Sequence, residues 1–203
     1  MSSLVSFPTA AQNANSPAVY QGQEQHFKGN GTPFNREPLW TSKYDKTAPL
    51  YTLTSTLNKA RNNAIKLSPE YLSRTSETLW VDVNHLCLKK GPAGSQIVFC
   101  VNNKSSKGDS YQASIGGFRP NEKVVELVGC KTSTTSASGN VTMYMGNGEP
   151  KVYVLASSLN GTGLCPQTTE DAPVAKKNGA GVLGVTGSIF IAAAMGWAAV
   201  LLA

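Results

Sequence analysis

Two histidines, four cysteines and twelve acids make up the titratable and metal-binding stock of this 203-residue chain. They form no recognisable catalytic pattern. His26 and His85 stand far apart, and the acids fall into no paired-carboxylate motif. No Gly-x-Ser-x-Gly, His-Glu-x-x-His, phosphate-loop or dinucleotide fingerprint occurs. No Cys-x-x-Cys spacing occurs either, which argues against zinc. His85, in Asn84-His85-Leu86, has no acid nearby beyond Asp82 and reads as a surface histidine. Four Asn-x-Ser/Thr sequons begin at Asn30, Asn103, Asn140 and Asn160, acceptors for N-glycans if the chain is secreted.

The cysteines suit oxidation better than metal. In a secreted chain four cysteines allow two bridges in any of three pairings. Pro92–Ser95 reads as a four-residue hairpin loop, so Gly91 faces Gln96, and carrying the register outward sets Cys87 opposite Cys100. Directly opposed residues lie about 4.5–5.5 Å apart at Cα, within disulfide reach. Cys130 is then left for Cys165. Loop closure assigns ~3 kcal/mol to the first bridge and ~4 kcal/mol to the second.

Charged residues are 15 % of the chain and the net charge is +6. The basic residues are scattered with no stripe or tail, so nucleic acid is excluded as a partner. Residues 1–15 lack periodicity and read as disordered or extraneous. Pro17–Tyr20 suits a short strand, and Gln21–Tyr44 reads as a long loop of the kind that usually serves function. Leu50, Leu53, Leu57, Ala60, Ala64 and Leu67 form one face of a helix, with Pro49 in its first turn and Ser68-Pro69 as its stop. Arg61 and Lys66 fall towards its solvated side.

From Leu79 the period drops to two. A strand through Leu79, Val81 and Val83 breaks near Asn84-His85, and Leu86-Leu88 continues on the other parity. Further strands are expected at Gln96–Val101, Tyr111–Ile115, Val124–Val128, Val141–Met145 and Lys151–Ala156, separated by turn signals. That pattern predicts a mainly β fold, an antiparallel Greek-key-like sandwich or barrel. Pro166–Lys177 reads as a polar linker.

Residues 178–203 carry no charged side chain. The small trio Asn178-Gly179-Ala180, a Gly-rich spacer and an apolar end fit a glycosylphosphatidylinositol (GPI) attachment signal, with Asn178 the expected attachment residue. Two alternatives stand. Val182–Ala203 as helix spans about 33 Å, enough for a membrane crossing, or it could be a buried core helix. Gly184, Gly187 and Ser188 dilute a crossing, and no basic residue follows it. Residues 1–16 lack the charged start and apolar run of a secretory leader. The two ends are reconciled if this is the rear part of a longer secreted protein.

Tyr20-Gln21-Gly22-Gln23-Glu24-Gln25-His26-Phe27, Asn35-Arg36-Glu37-Pro38-Leu39-Trp40 and Leu57-Asn58-Lys59-Ala60-Arg61-Asn62 resemble fungal secreted α-amylases. So do Lys90–Val98, Gly108-Asp109-Ser110-Tyr111, and Val128-Gly129-Cys130 through Cys165. The resemblance is collinear over residues 16–167 and leans towards GPI-anchored, cell-wall members that hydrolyse or transfer α-1,4-glucan. It implies that residues 16–78 are the last strand, loop and helix of a (β/α)₈ barrel and 79–167 a C-terminal β-sandwich, followed by a linker over 168–177 and the GPI signal over 178–203.

The same resemblance implies that the nucleophilic Asp, the acid/base Glu, the transition-state Asp and the calcium ligands all lie upstream. No catalytic residue, metal ligand or cofactor site is therefore expected in this chain; calcium belongs to the full-length parent. One substrate contact is implied here. Family members place an Asp and, four residues on, an Arg in the eighth loop to hold a glucose. These positions are Thr32 and Arg36, so the carboxylate is missing, which throws ordinary donor-side binding into question. Without sugar, Arg36 would pair with Glu37 or cap a turn. Trp40 and Tyr44 are expected to pack in the core rather than stack on a ligand.

The expected partners are an α-glucan and, through the GPI anchor, the membrane at the cell surface or wall. The competing expectation is a non-catalytic, wall-anchored carbohydrate-binding or structural module. The sandwich segment 79–167 is expected to fold alone, whereas 16–178 should aggregate because its helix stripe was made to cover a barrel.

Overall fold

The computed structural model describes residues 20–29, 31–32, 36–104, 109–146, 148–166 and 169–170. The expectations for residues 1–15, for Pro17–Val19, for the sequon asparagine Asn30 and for the 178–203 tail with Asn178 lie outside these.

After the loop segment comes helix α1 (Pro49–Leu67), with Pro at its first position, then a single turn α2 (Glu70–Ser73). Among the described residues nine strands follow: β1 (Glu77–Val81), β2 (His85–Lys90), β3 (Ile97–Asn102), β4 (Tyr111–Ile115), β5 (Lys123–Glu126), β6 (Lys131–Thr134), β7 (Val141–Met145), β8 (Lys151–Leu155) and β9 (Thr169–Glu170). Seven strands form one sheet in the order β1-β2-β3-β8-β5-β6-β9, and β4 pairs with β7 in a second. All pairs are antiparallel except β6–β9. Mainly antiparallel β-structure is what the alternation and turn spacing predict.

Strand β5 ends earlier than the sequence reading places it, and two strands escaped that reading. Strand β5 ends at Glu126 rather than Val128, because the buried Glu126 carboxylate accepts the N–H of Val128 (3.0 Å) and Gly129 (2.6 Å) and turns the chain. Cys130 then takes a left-handed φ of 53° and starts β6, whose Lys-Thr-Ser-Thr sequence shows no apolar alternation. Thr169–Glu170, in the stretch read as linker, pairs in parallel with β6.

The large sheet is apolar on both faces. Val98, Cys100, Tyr153 and Leu155 point towards the β4–β7 sheet and meet Ile115, Val141, Met143 and Met145 there. The alternate residues Phe99, Val152 and Val154 point the other way and pack with Ala60 of α1, Leu127 and Leu164. The fold thus has three layers: helix, large sheet, small sheet. The helix stripe is accordingly shared. Leu57, Ala60 and Ala64 face the sheet, whereas Leu67 is exposed.

Both expected disulfides form, the first as the hairpin register requires. Cys87 opposes Cys100 within the β2–β3 ladder, with Cα atoms 4.1 Å apart. Cys130 joins Cys165 at 5.1 Å and holds the post-β8 segment so that Leu164 seals the helix-side core.

The expectation that 79–167 folds alone needs revision, since that segment bares Phe99, Val152 and Val154. Each large side chain exposed forfeits about 1.5–3 kcal/mol. Segments 45–173 and 79–167 should therefore differ: the shorter one is expected to bind a hydrophobic dye and melt lower or aggregate. Equal, cooperative melts would show the helix to be dispensable.

Candidate functional site

The site residues suggested by sequence sit in the loop before α1. Residues 20–27 form two tight turns, closed by Gln23 N–H to Tyr20 O (3.1 Å) and Phe27 N–H to Gly22 O (3.0 Å). Gly22 has φ 88°, and a Cβ there would lie 2.2 Å from the Phe27 ring. Only glycine permits that ring to close the turn. Glu24 Oε2 accepts the Gly22 N–H at 3.0 Å. Glu37 Oε1 accepts the Gly29 N–H at 3.2 Å and ties the two arms of the loop.

Between the arms lies a small pocket of about 120 Å³, walled by Tyr20, Phe27, Lys28, Arg36 and Glu37 among others. Arg36 is exposed, and among the described residues it has no ion pair; Glu37 holds the Gly29 amide instead. Thr32 is exposed and is not part of the pocket wall. The structure therefore keeps Arg36 at a pocket with aromatic and carboxylate neighbours but does not bring Thr32 to it. A guanidinium fork beside a carboxylate and ring faces can bind a hydroxyl-rich ligand. It cannot by itself cleave one.

Trp40 and Tyr44 correct their expectation. They are 68 % and 58 % exposed, not packed in a core; Trp40 lies on the short helical turn Leu39–Ser42 and Tyr44 just beyond it. Among the other sequon residues, Asn103 is exposed and donates to Val83 O (3.1 Å), Asn160 is exposed, and Asn140 is half-buried against Gly116.

His85 departs furthest from its reading. It is buried, not a surface residue, and stacks on Trp80 with ring centroids 4.0 Å apart. Its Nδ1 lies 2.8 and 2.9 Å from the two Asp82 oxygens, and its Nε2 meets the Tyr111 hydroxyl. The signal available in sequence was Asp82 three residues away; Tyr111 comes from the other sheet. Burial, then the Asp82 carboxylate, raises the Tyr111 pKa, so the phenol keeps its proton at this contact. This chain of bonds braces the two sheets. It does not activate a nucleophile.

On the helix side the buried Lys90 ammonium donates to Arg74 O (2.6 Å) and lies 5.4 Å from the Tyr71 ring centroid. Burial, then Arg61, lowers the Lys90 pKa, and burial pushes Tyr71 up to about 12. These contacts seat the α1–α2 segment on β2.

Residues 78–173 match the family model described as alpha-amylase, domain C. The segment is an α-amylase domain C. The chain is 34 % identical over 152 residues to alpha-amylase 1 of Schwanniomyces occidentalis, covering 74 % of this chain and 30 % of that protein. It is 33 % identical over 141 residues to the alpha-amylase of Saccharomycopsis fibuligera, covering 69 % and 27 %. Among solved structures, an alpha-amylase from Malbranchea cinnamomea superposes with a TM-score of 0.71 at 27 % identity, over 80 % of this chain and 34 % of that one. The chain thus spans about a third or less of these α-amylases.

The brace at the end of domain C yields a pH prediction. Partial desolvation raises the Asp82 pKa, but the N–H groups of Asn84 and His85 and the His85 imidazole outweigh it and hold the carboxyl below its usual value. A depressed folded pKa stabilises above the unfolded value and is lost as pH falls through the folded one. The melting-temperature gap between wild type and Asp82→Asn should be widest near pH 6 and close well below the unfolded pKa of about 3.9. A gap unchanged across that range would refute the assignment.

Proposed function

We propose that this chain is the C-terminal portion of a secreted, GPI-anchored α-amylase-like enzyme that hydrolyses or transfers α-1,4-glucan at the cell surface or wall. Its catalytic carboxylates and calcium site belong to barrel residues N-terminal to this segment. One observation carries the reading: the 152-residue match to the Schwanniomyces α-amylase is longer than domain C and must include residues outside it. Part of the segment before domain C therefore descends with it as one piece. A retaining glycosidase needs two carboxyls about 5–5.5 Å apart across the scissile bond. Arg36, in its pocket, supplies sugar binding instead, at the edge of a cleft completed by the barrel.

The absent acid at Thr32 leaves Arg36 without the usual partner, which weakens the hold on a distant glucose and favours release of the donor end. The module reading lacks support on the sandwich itself: the described residues of 78–166 expose Val81, Val83 and Val128 as large apolar side chains, and no row of aromatics.

Two measurements test this. Extending the transcript upstream of residue 1 should reveal an in-frame barrel with three acids; that longer product should turn over maltoheptaose, and this chain alone should not. In the longer form, Arg36→Ala should raise KM about tenfold with little change in kcat, the cost of a lost charged hydrogen bond. Turnover by the 203-residue chain alone would end the proposal. For the anchor, phosphatidylinositol-specific phospholipase C should release the surface-held protein, and removing residues 188–203 should send it to the medium. Retention after lipase treatment would point to a spanning helix.

A further inference from the structure

The two disulfides sit in unlike surroundings. Cys87 and Cys100 are fully buried in the core between the sheets, and the β2–β3 ladder pairs the residues on either side of them. Cys130 and Cys165 are only half-buried, outside any strand, at the rim of the helix-side core. A thiolate must reach a sulfur to open a bridge, so packing shields the first bridge and leaves the second closer to solvent.

Backbone strain falls on the same bridge. Among the described residues six other than glycine have a left-handed φ, and two of the six are Cys130 (53°) and Cys165 (47°). The left-handed region crowds Cβ against the backbone, so a residue with a side chain stays there only where its surroundings hold it. Cys165 is constrained twice, because Pro166 follows and its ring pushes the preceding residue towards extended backbone. Few other contacts hold this segment in place. The Thr162 N–H donates to Leu159 O (3.1 Å), the Leu164 N–H donates to Thr162 Oγ1 (3.1 Å), and the Leu164 side chain packs in the cluster of Phe99, Val152 and Val154. Opening the bridge would let Cys165 return to extended backbone, and a bridge whose loss relieves strain is reduced more readily.

We infer that Cys130–Cys165 is a redox-labile clasp, reduced by a dithiol of the Cys-x-x-Cys class while Cys87–Cys100 stays closed, and that its opening frees Leu164 from the helix-side core. A thiolate of the reductant attacks one sulfur, and the Cys130–Cys165 bond breaks as a mixed disulfide forms. The second thiol of the reductant then displaces the protein sulfur. Two electrons and two protons pass to Cys130 and Cys165, and the reductant leaves as a disulfide. The opening is local, since the core between the sheets lies on the other face of the large sheet and keeps its cover. The clasp depends on neither glucan nor anchor, so its failure leaves the proposed function standing, and the reverse.

The test uses the oxidised 203-residue chain in dithiothreitol at about pH 8, where thiolates form, with thiols trapped by alkylation and located by peptide mass. Cys130 and Cys165 should be labelled together, about tenfold or more faster than Cys87 and Cys100. In the selectively reduced protein, amide exchange at Thr162 and Leu164 should quicken about tenfold, with β2 and β3 unchanged. Pro166→Ala, at an exposed position, keeps both cysteines and lifts the restriction on Cys165; it should slow reduction of this bridge about threefold. The inference is overturned if all four cysteines are labelled at one rate, or if Cys87–Cys100 opens first. Selective reduction that leaves exchange at Leu164 unchanged overturns the release, and equal rates for wild type and Pro166→Ala overturn strain as its cause.

Discussion

Strands β3 and β8 are apolar on both parities, and this one constraint organises the molecule. A strand with one apolar face needs one cover; Val98-Phe99-Cys100 and Val152-Tyr153-Val154-Leu155 need two. The β4–β7 ribbon covers one side with Met143, Met145 and Val141, and α1 covers the other with Leu57, Ala60 and Ala64. Small residues on the helix let it lie close to the sheet. The helix therefore belongs physically to domain C as well as to whatever its exposed stripe meets.

Polar groups fix the edges of these layers. Glu126 ends β5 by taking two backbone amides, Lys90 ties α2 to β2, and Asp82–His85–Tyr111 links the large sheet to the small one. Glu126, Lys90 and His85 are buried with their partners in place, and removing one partner leaves the other to bear its desolvation. The disulfides work on the same joints: Cys87–Cys100 beside the His85 brace, Cys130–Cys165 beside the Glu126 turn.

Local patterns revealed much of this. The 3–4 spacing from Leu50 to Leu67 fixed α1 almost to the residue, and the Pro92–Ser95 turn fixed the β2–β3 register and with it both bridges. Strand β6 was hidden because Lys-Thr-Ser-Thr is held by ladder bonds and by Cys130, not by apolar alternation. Of the site residues, Arg36 was legible through its motif; the burial of His85 was not, since Tyr111 reaches it from the other sheet.

Spacing by itself determined the helix, most strands and the Cys87–Cys100 pairing, because each depends on neighbours within one element or one hairpin, and Cys130–Cys165 followed as the pair that remained. Only the tertiary structure decided that His85 is buried, that Trp40 and Tyr44 are exposed, and that α1 closes the sheet. Burial and encounter between distant segments are properties of packed layers. Periodicity records which face of an element is apolar, and says nothing of which surface will cover it.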